Sequence, residues 1–433
     1  MIPILIFCII SFFVFRTGFN RFSRIYKNIQ LGKAEDLSGS VGLRWKNMLL
    51  FALGQKKMFE RPIVGIFHFF IYAAFLLTQI ELLEIIFDGI SGKHRIFANS
   101  LKPFYGILLN VIEILSLLAF IATLIFLYRR NIAKILRFQN PELKGWPSLD
   151  ANLILLGEIL LIIGIFTMNS ADGQLQILDP LHYPDTGKLF ISNFITVNLS
   201  ELPKDLLVFL ERSGWWLHLM VIYFFIIYLP YSKHLHIFLA FPNSYFSDLT
   251  PRGQMSNIPE IENEVKIMMG LQGKTIENPS ESFGAKDIHQ LSWKTLLEAY
   301  SCTECGRCTS ACPANITGKK LSPRKIVMDI RDRLEEVGKE IESNKSFNIQ
   351  EDSRSLFDRI SKEEIYACTS CNACVEACPV LINPLKPILE LRRYDILMNS
   401  SGPSEWLPMF NSLENNQAVW TMSEPREAWI DKK

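Results

Sequence analysis

Several things are scarce in this chain, and each scarcity removes a class of function. Neither sign of charge is in excess, with 45 Lys and Arg against 44 Asp and Glu. A basic nucleic-acid footprint and a polyacidic tail are therefore both absent, and no nucleic-acid partner is expected. No Gly-x-Gly-x-x-Gly run opens a helix and no Walker run occurs, so the sequence offers no cradle for a nicotinamide, flavin or nucleotide. No residue pattern supplies a nucleophile. Long apolar runs stop near residue 241, beyond which the chain is polar and charged. Histidine is rare, with 7 in 433 residues, and so is cysteine, with 9. Cys8 sits in an apolar run and is expected to be a small buried hydrophobe.

The other eight cysteines fall in two runs. Cys302, Cys305, Cys308 and Cys312 precede Pro313, and Cys368, Cys371, Cys374 and Cys378 precede Pro379. Both read C-x2-C-x2-C-x3-C-P, the ligand run of a ferredoxin with two [4Fe–4S] clusters, in which the fourth cysteine ligates the other cluster. The spacing thus assigns Cys302, Cys305, Cys308 and Cys378 to one cluster, and Cys368, Cys371, Cys374 and Cys312 to the second. Structural zinc uses four cysteines too, but usually as two separated pairs. Disulfides at this spacing would close very small loops, in a domain expected to face the reducing cytoplasm.

The first half reads as membrane. Apolar stretches at 1–15, 62–87, 104–128, 151–169 and 214–241 are expected to cross a bilayer. An amphipathic piece at 43–53 is expected on its surface. Ten Lys and Arg lie between 16 and 61 and five between 129 and 144, against three in the longer 170–212 loop. The positive-inside rule makes the two basic connections cytoplasmic. The amino end is then outside and the cysteine runs are cytoplasmic, at the inner membrane. The fold class expected is all-α: a five-helix transmembrane bundle (1–241), a tether (242–290), a mainly helical ferredoxin-like dicluster domain (291–400) and a partner-binding tail (401–433). Ser322-Pro323 is read as a helix start, and Ser361 with Glu364 as a capping box.

An imidazole in hydrocarbon is costly unless it binds something, and haem iron, with two axial positions, is the natural sink. His68 in the second span and His236 near the cytoplasmic end of the fifth form the best pair. His218 and His236 are eighteen residues apart, five whole turns on one face, so they are expected to serve different haems. His234 should face away. For His218 the sequence offers only His94 and His182 in outer connections, with His94 tried first. His289, in the tether, is expected to be solvated. Buried carboxylates at Glu113 and Glu158, and at Glu81 and Glu84, are candidates for proton transfer to a quinone, or for packing.

Residues 1–241, through Gly65-Ile-Phe-His68 and the two histidines His218 and His236, resemble the cytochrome b (gamma) subunit of respiratory nitrate reductase. Residues from about 290 resemble the iron–sulfur subunit HdrC of heterodisulfide reductase. The fusion is similar to membrane-bound reductases that pass electrons between a cytoplasmic donor, such as electron-transfer flavoprotein, and menaquinone. That resemblance implies two [4Fe–4S] clusters, one or two b haems, menaquinone or another quinone, and a cytoplasmic flavoprotein partner. The chain departs from it in two ways. The nitrate reductase subunit has two histidines in its second span and this chain has only His68, which leaves His218 without an evident partner. Larger fused members also continue into CCG modules; the stretches Asn415–Trp420 and Arg426–Trp429 look like the start of that junction, so a separate CCG subunit is expected. The rival readings are a membrane-anchored iron–sulfur sensor, or a maturation factor supplying electrons without quinone turnover.

Overall fold

The structure is a computed structural model and describes residues 2–35, 37, 39–273, 282–420, 423–424 and 427–431. Within the expected tether and tail, 274–281, 421–422, 425–426 and 432–433 lie outside the described residues, Arg426 among them. The chain is helical and no strand is found among the described residues. Five helices are long and apolar enough to cross a membrane: Ile2–Ile29, Pro62–Ser91, Pro103–Asn131, Trp146–Leu178 and Lys204–Tyr231. They are the first to fifth spans. Pro62 and Pro103 open their helices and Pro147 lies in the first turn of its own, where a missing N–H costs nothing.

The first four helices outrun the apolar stretches that announce them. The first has 28 residues, about 42 Å at 1.5 Å per residue, against roughly 30 Å of hydrocarbon. Its basic end therefore continues past the membrane as helix. There Asn28 donates to the Tyr300 hydroxyl at 2.9 Å and Arg24 to Glu342 at 2.8 Å. The fourth helix extends to Leu178 because its polar residues find partners inside the bundle: Asn169 and Asp172 both bind the buried Arg95. Cys8, by contrast, is exposed on the first helix and faces away from the protein.

The fourth and fifth spans approach closely through glycine. A Cβ on Gly214 would stand 2.6 Å from Met168 N and 2.7 Å from Gly164 O, so only glycine fits. The fifth span does not run on to 241. Regular helix ends at Tyr228, two single turns follow, Ser232 is extended, and a separate helix starts at His236. Pro230 removes a backbone donor. Asp150 then anchors the break, accepting from Tyr228 Oη at 2.5 Å, Ser232 Oγ at 2.6 Å and Lys233 N at 3.1 Å.

The cysteine domain is built on Trp293–Ser301, Pro323–Ser343 and Leu385–Leu397, with the Ser322 cap and the Ser361–Glu364 capping box in place. Its core takes in Ile25 and Ile29 from the first helix, and Leu235. It also takes in Ala285 and Ile288 from the expected tether, so those residues are packed rather than loose. His289 is half-buried, contrary to its expected solvation. Lys33 bridges to Ser292, where a Cβ on Gly32 would meet Trp293 N at 2.5 Å.

Candidate redox site

The two cysteine runs fold alike. In the first, Glu304 and Gly306 have φ of 54° and 71°; in the second, Ser370 and Asn372 have φ of 55° and 61°. Residues of this kind turn successive N–H groups inward, making the concave amide surface found at many iron–sulfur sites. Glu304 N points to Cys302 Sγ at 3.4 Å, and Ser370 N to Cys368 Sγ at 3.4 Å. Short helices follow, Arg307–Ala311 and Ala373–Ala377, which pack on each other and carry the third cysteines of their runs.

One cavity is lined by Cys302, Cys305, Cys308 and Cys378, with Arg307, Arg324, Val327 and Ile382 among the other residues of its wall. Cys312 does not line it. Burial pushes the Cys378 thiol up to about 12, and its thiol neighbours are Cys305 and Cys302. Burial likewise pushes the Cys374 thiol up to about 12, with Cys368, Cys312 and Cys371 as its neighbours. The fourth cysteine of each run therefore stands with the first three of the other. Among the described residues, no three or more His, Cys, Asp or Glu side chains converge tightly enough to hold a single metal ion. The second foursome lies nearer the surface, since Cys371 is exposed.

These sulfurs sit on the membrane half. Arg307 donates from Nη1 to Lys57 O at 2.7 Å, and Lys57 Nζ donates to Glu376 O at 2.6 Å, so both runs grip one turn, Lys56–Met58, which follows the helical stretch Val41–Asn47 and Met48–Leu53. Glu304 pairs with Lys233 and, at 2.8 Å, with Arg331. Burial alone would raise its carboxyl, but those two cations outweigh it and hold it below the ordinary value. Arg324, wholly buried, reaches Glu142 at 2.7 Å and Arg137 O at 2.9 Å.

Directly behind that turn stand His68 and His236, ring centroids 6.5 Å apart and planes at 44°. Gln55, held left-handed at φ 50°, accepts from His68 Nδ1 at 3.0 Å. Lys233 O accepts from His236 Nδ1 at 3.0 Å. Each Nδ1 thus carries its proton and each Nε2 presents a lone pair, the arrangement usual in metal-binding histidines. His234 does not face away: its ring lies 5.9 Å from that of His236, with a buried Nδ1 that has no hydrogen-bond partner among the described residues. The break at Ser232 voids the helical count that set His234 apart from His236, and with it the five-turn register between His218 and His236.

His218 is buried and donates from Nδ1 to Leu161 O at 3.0 Å, again leaving Nε2 free. The structure does not bring His94 to it. His94 Nε2 bonds Asp172 at 2.8 Å and its Nδ1 faces Arg212 Nη2 at 3.4 Å, so both ring nitrogens are engaged in a polar network at the end remote from the cysteines. His182 is exposed and pairs with Asp179. Glu113, also at the remote end, is fully buried and accepts from Ile191 N at 3.0 Å, Ser192 N at 3.2 Å and Asn169 at 3.2 Å. Such a carboxylate caps a helix start and is fully committed. Glu84 is similarly bound by Tyr105 and Phe97 N, whereas both oxygens of buried Glu81 have no hydrogen-bond partner among the described residues. Glu158 lies midway along the fourth span and has no hydrogen-bond or ion-pair partner among the described residues.

Residues 301–382 match the family model described as 4Fe-4S dicluster domain. The chain carries a 4Fe–4S dicluster domain. Beyond that domain, it is 28% identical over 433 residues to the probable iron-sulfur-binding oxidoreductase FadF of Bacillus subtilis, covering 93% of this chain and 57% of the relative. It is 27% identical to the EtfAB:quinone oxidoreductase of Syntrophomonas wolfei over 417 residues, 89% of this chain and 53% of the relative. A shorter likeness, 32% over 98 residues, links 22% of the chain to 46% of one polypeptide of the ferredoxin:CoB-CoM heterodisulfide reductase of Methanosarcina mazei. The chain thus spans little more than half the length of its two long relatives. No solved structure matches.

Proposed function

We propose that this chain is a membrane-bound electron-transfer subunit working between a cytoplasmic redox partner and the quinone pool, with menaquinone the first quinone to try. Cys302, Cys305, Cys308 and Cys378 hold one [4Fe–4S] cluster, and Cys368, Cys371, Cys374 and Cys312 the other. His68 and His236 hold a b haem on the cysteine side of the bundle. The observation that carries this reading is the joint position of the two sites: the turn at Gln55–Met58 is bound on one side by Arg307, which lines the cavity of four cysteines, and on the other by His68 of the His68–His236 pair. With ring centroids 6.5 Å apart and Nδ1 of each ring engaged, His68 and His236 are the residues that would hold the haem, which would supply single-electron transfer.

When bound, clusters and haem carry single electrons while quinone takes two electrons and two protons. The protein's share is to fix spacing, to keep Nε2 of both histidines unprotonated, and to supply a proton route. Glu158, uncommitted in the fourth span, suits that last task better than Glu113. His218, its Nε2 free, belongs to a second haem or to the quinone pocket. The cytoplasmic side of the cysteine domain, where Cys371 is exposed, would face the partner. The name of the Syntrophomonas relative makes electron-transfer flavoprotein the first partner to test, together with a separate CCG subunit.

Iron, acid-labile sulfide and pyridine haemochrome on the purified chain test this directly. Two clusters and at least one haem per chain are expected, and His68→Ala should remove one haem equivalent while leaving the cluster signals whole. A chain with both clusters and no haem would overturn the quinone reading in favour of a membrane-anchored sensor or donor.

A further inference from the structure

Among the groups that hold the turn bound by both sites is one cation inside the first cysteine run whose position the cluster ligation does not require. Arg307 lies inside the first cysteine run, is 5% exposed, and lines the cavity of Cys302, Cys305, Cys308 and Cys378. Its Nη1 donates to Lys57 O at 2.7 Å, and its Nη2 points to Met58 O at 3.4 Å and Met58 Sδ at 3.6 Å. Two residues before Lys57, Gln55 binds His68. The guanidinium thus touches both the cysteine cavity and the turn that orients His68.

We propose that Arg307 is a positioning residue with two effects: its charge raises the midpoint potential of the first cluster, and its fork locks the Gln55–Met58 turn against that cluster. The inference rests on the cluster assignment above. Reducing a cluster adds one electron and makes it one unit more negative, with no bond broken. A fixed cation at its wall favours the reduced form, more so where burial limits screening. Loss of the charge should therefore favour the oxidised form. Arg392 stands at the second foursome in a comparable way, binding Ile365 O at 2.7 Å and Cys368 O, so the second cluster serves as an internal reference.

The test is an EPR-monitored redox titration of the full chain in detergent, comparing the unaltered protein with R307Q and R307K. If the unaltered protein shows no pair of [4Fe–4S] signals, the cluster assignment itself fails. With both signals present, R307Q should shift the reduced-to-oxidised ratio of the first cluster down about tenfold at fixed potential, equivalent to ~59 mV for one electron, while the second cluster stays put. An unmoved first cluster overturns the proposal. Should R307Q fail to retain its clusters, R307K decides. A lysine that keeps the midpoint but speeds hydrogen exchange across 55–61 supports both effects. A lysine that lowers the midpoint, or leaves both readouts unchanged, overturns the proposal.

Discussion

Cys312 and Cys378 each close a run in sequence and stand with the other run in space. On the proposed function, ligation crossed in this way would tie residues 302–312 to 368–378, so that neither run could hold its cluster alone. Cys312→Ser and Cys374→Ser should then abolish the same EPR signal, and Cys378→Ser the other. If Cys312→Ser and Cys308→Ser shared a loss instead, the crossed assignment would be wrong. Spacing alone makes these eight proposed ligands legible, because a cubane demands cysteines at fixed reach. The cost of imidazole in hydrocarbon makes His68, His218 and His236 legible. Gln55 and Arg307 are not. An amide in a turn carries no pattern, and an arginine between two cysteines shows its carbonyl partners only once Lys57 and Met58 are brought to it by the fold.

At the scale of elements, five spans are readable as runs of apolar residues, but their ends are not. Asn169 and Asp172 look like a helix exit, yet the fourth span continues because Arg95, from the facing connection, satisfies both. In the fifth span the reverse holds: the periodicity reads straight through Pro230 as if the helix continued, which misplaces His234. Glycine decides how the fourth and fifth spans meet, and a lone glycine in an apolar run does not announce its contact. Gly164 has His218 N 3.0 Å from where its Cβ would be, and Gly214 has Met168 N at 2.6 Å. Gly214→Ala should therefore cost about 1–3 kcal/mol by forcing the helices apart. That would appear as a lowered thermal midpoint of the detergent-solubilised chain, and an unchanged midpoint would show that the crossing is looser than described.

At the scale of the molecule, the core of the cysteine domain draws on residues from the stretches expected as membrane bundle and as tether. The first helix ends inside the core of the cysteine domain, as do Leu235 and Ile288. Ion pairs from Arg324 to Glu142 and from Lys233 to Glu304 close the joint. Such a joint fixes distance, which is what single-electron transfer needs from a protein. On the proposed function, clusters, histidine-held haem and quinone then form one circuit. That circuit is tested most directly by reducing the purified chain with dithionite, removing the excess, and adding a soluble menaquinone analogue while haem and cluster absorption are followed together. Both should reoxidise on the same time course, and His68→Ala should leave the clusters reduced. Clusters that stay reduced in the unaltered protein, with haem present and quinone in excess, would contradict the circuit.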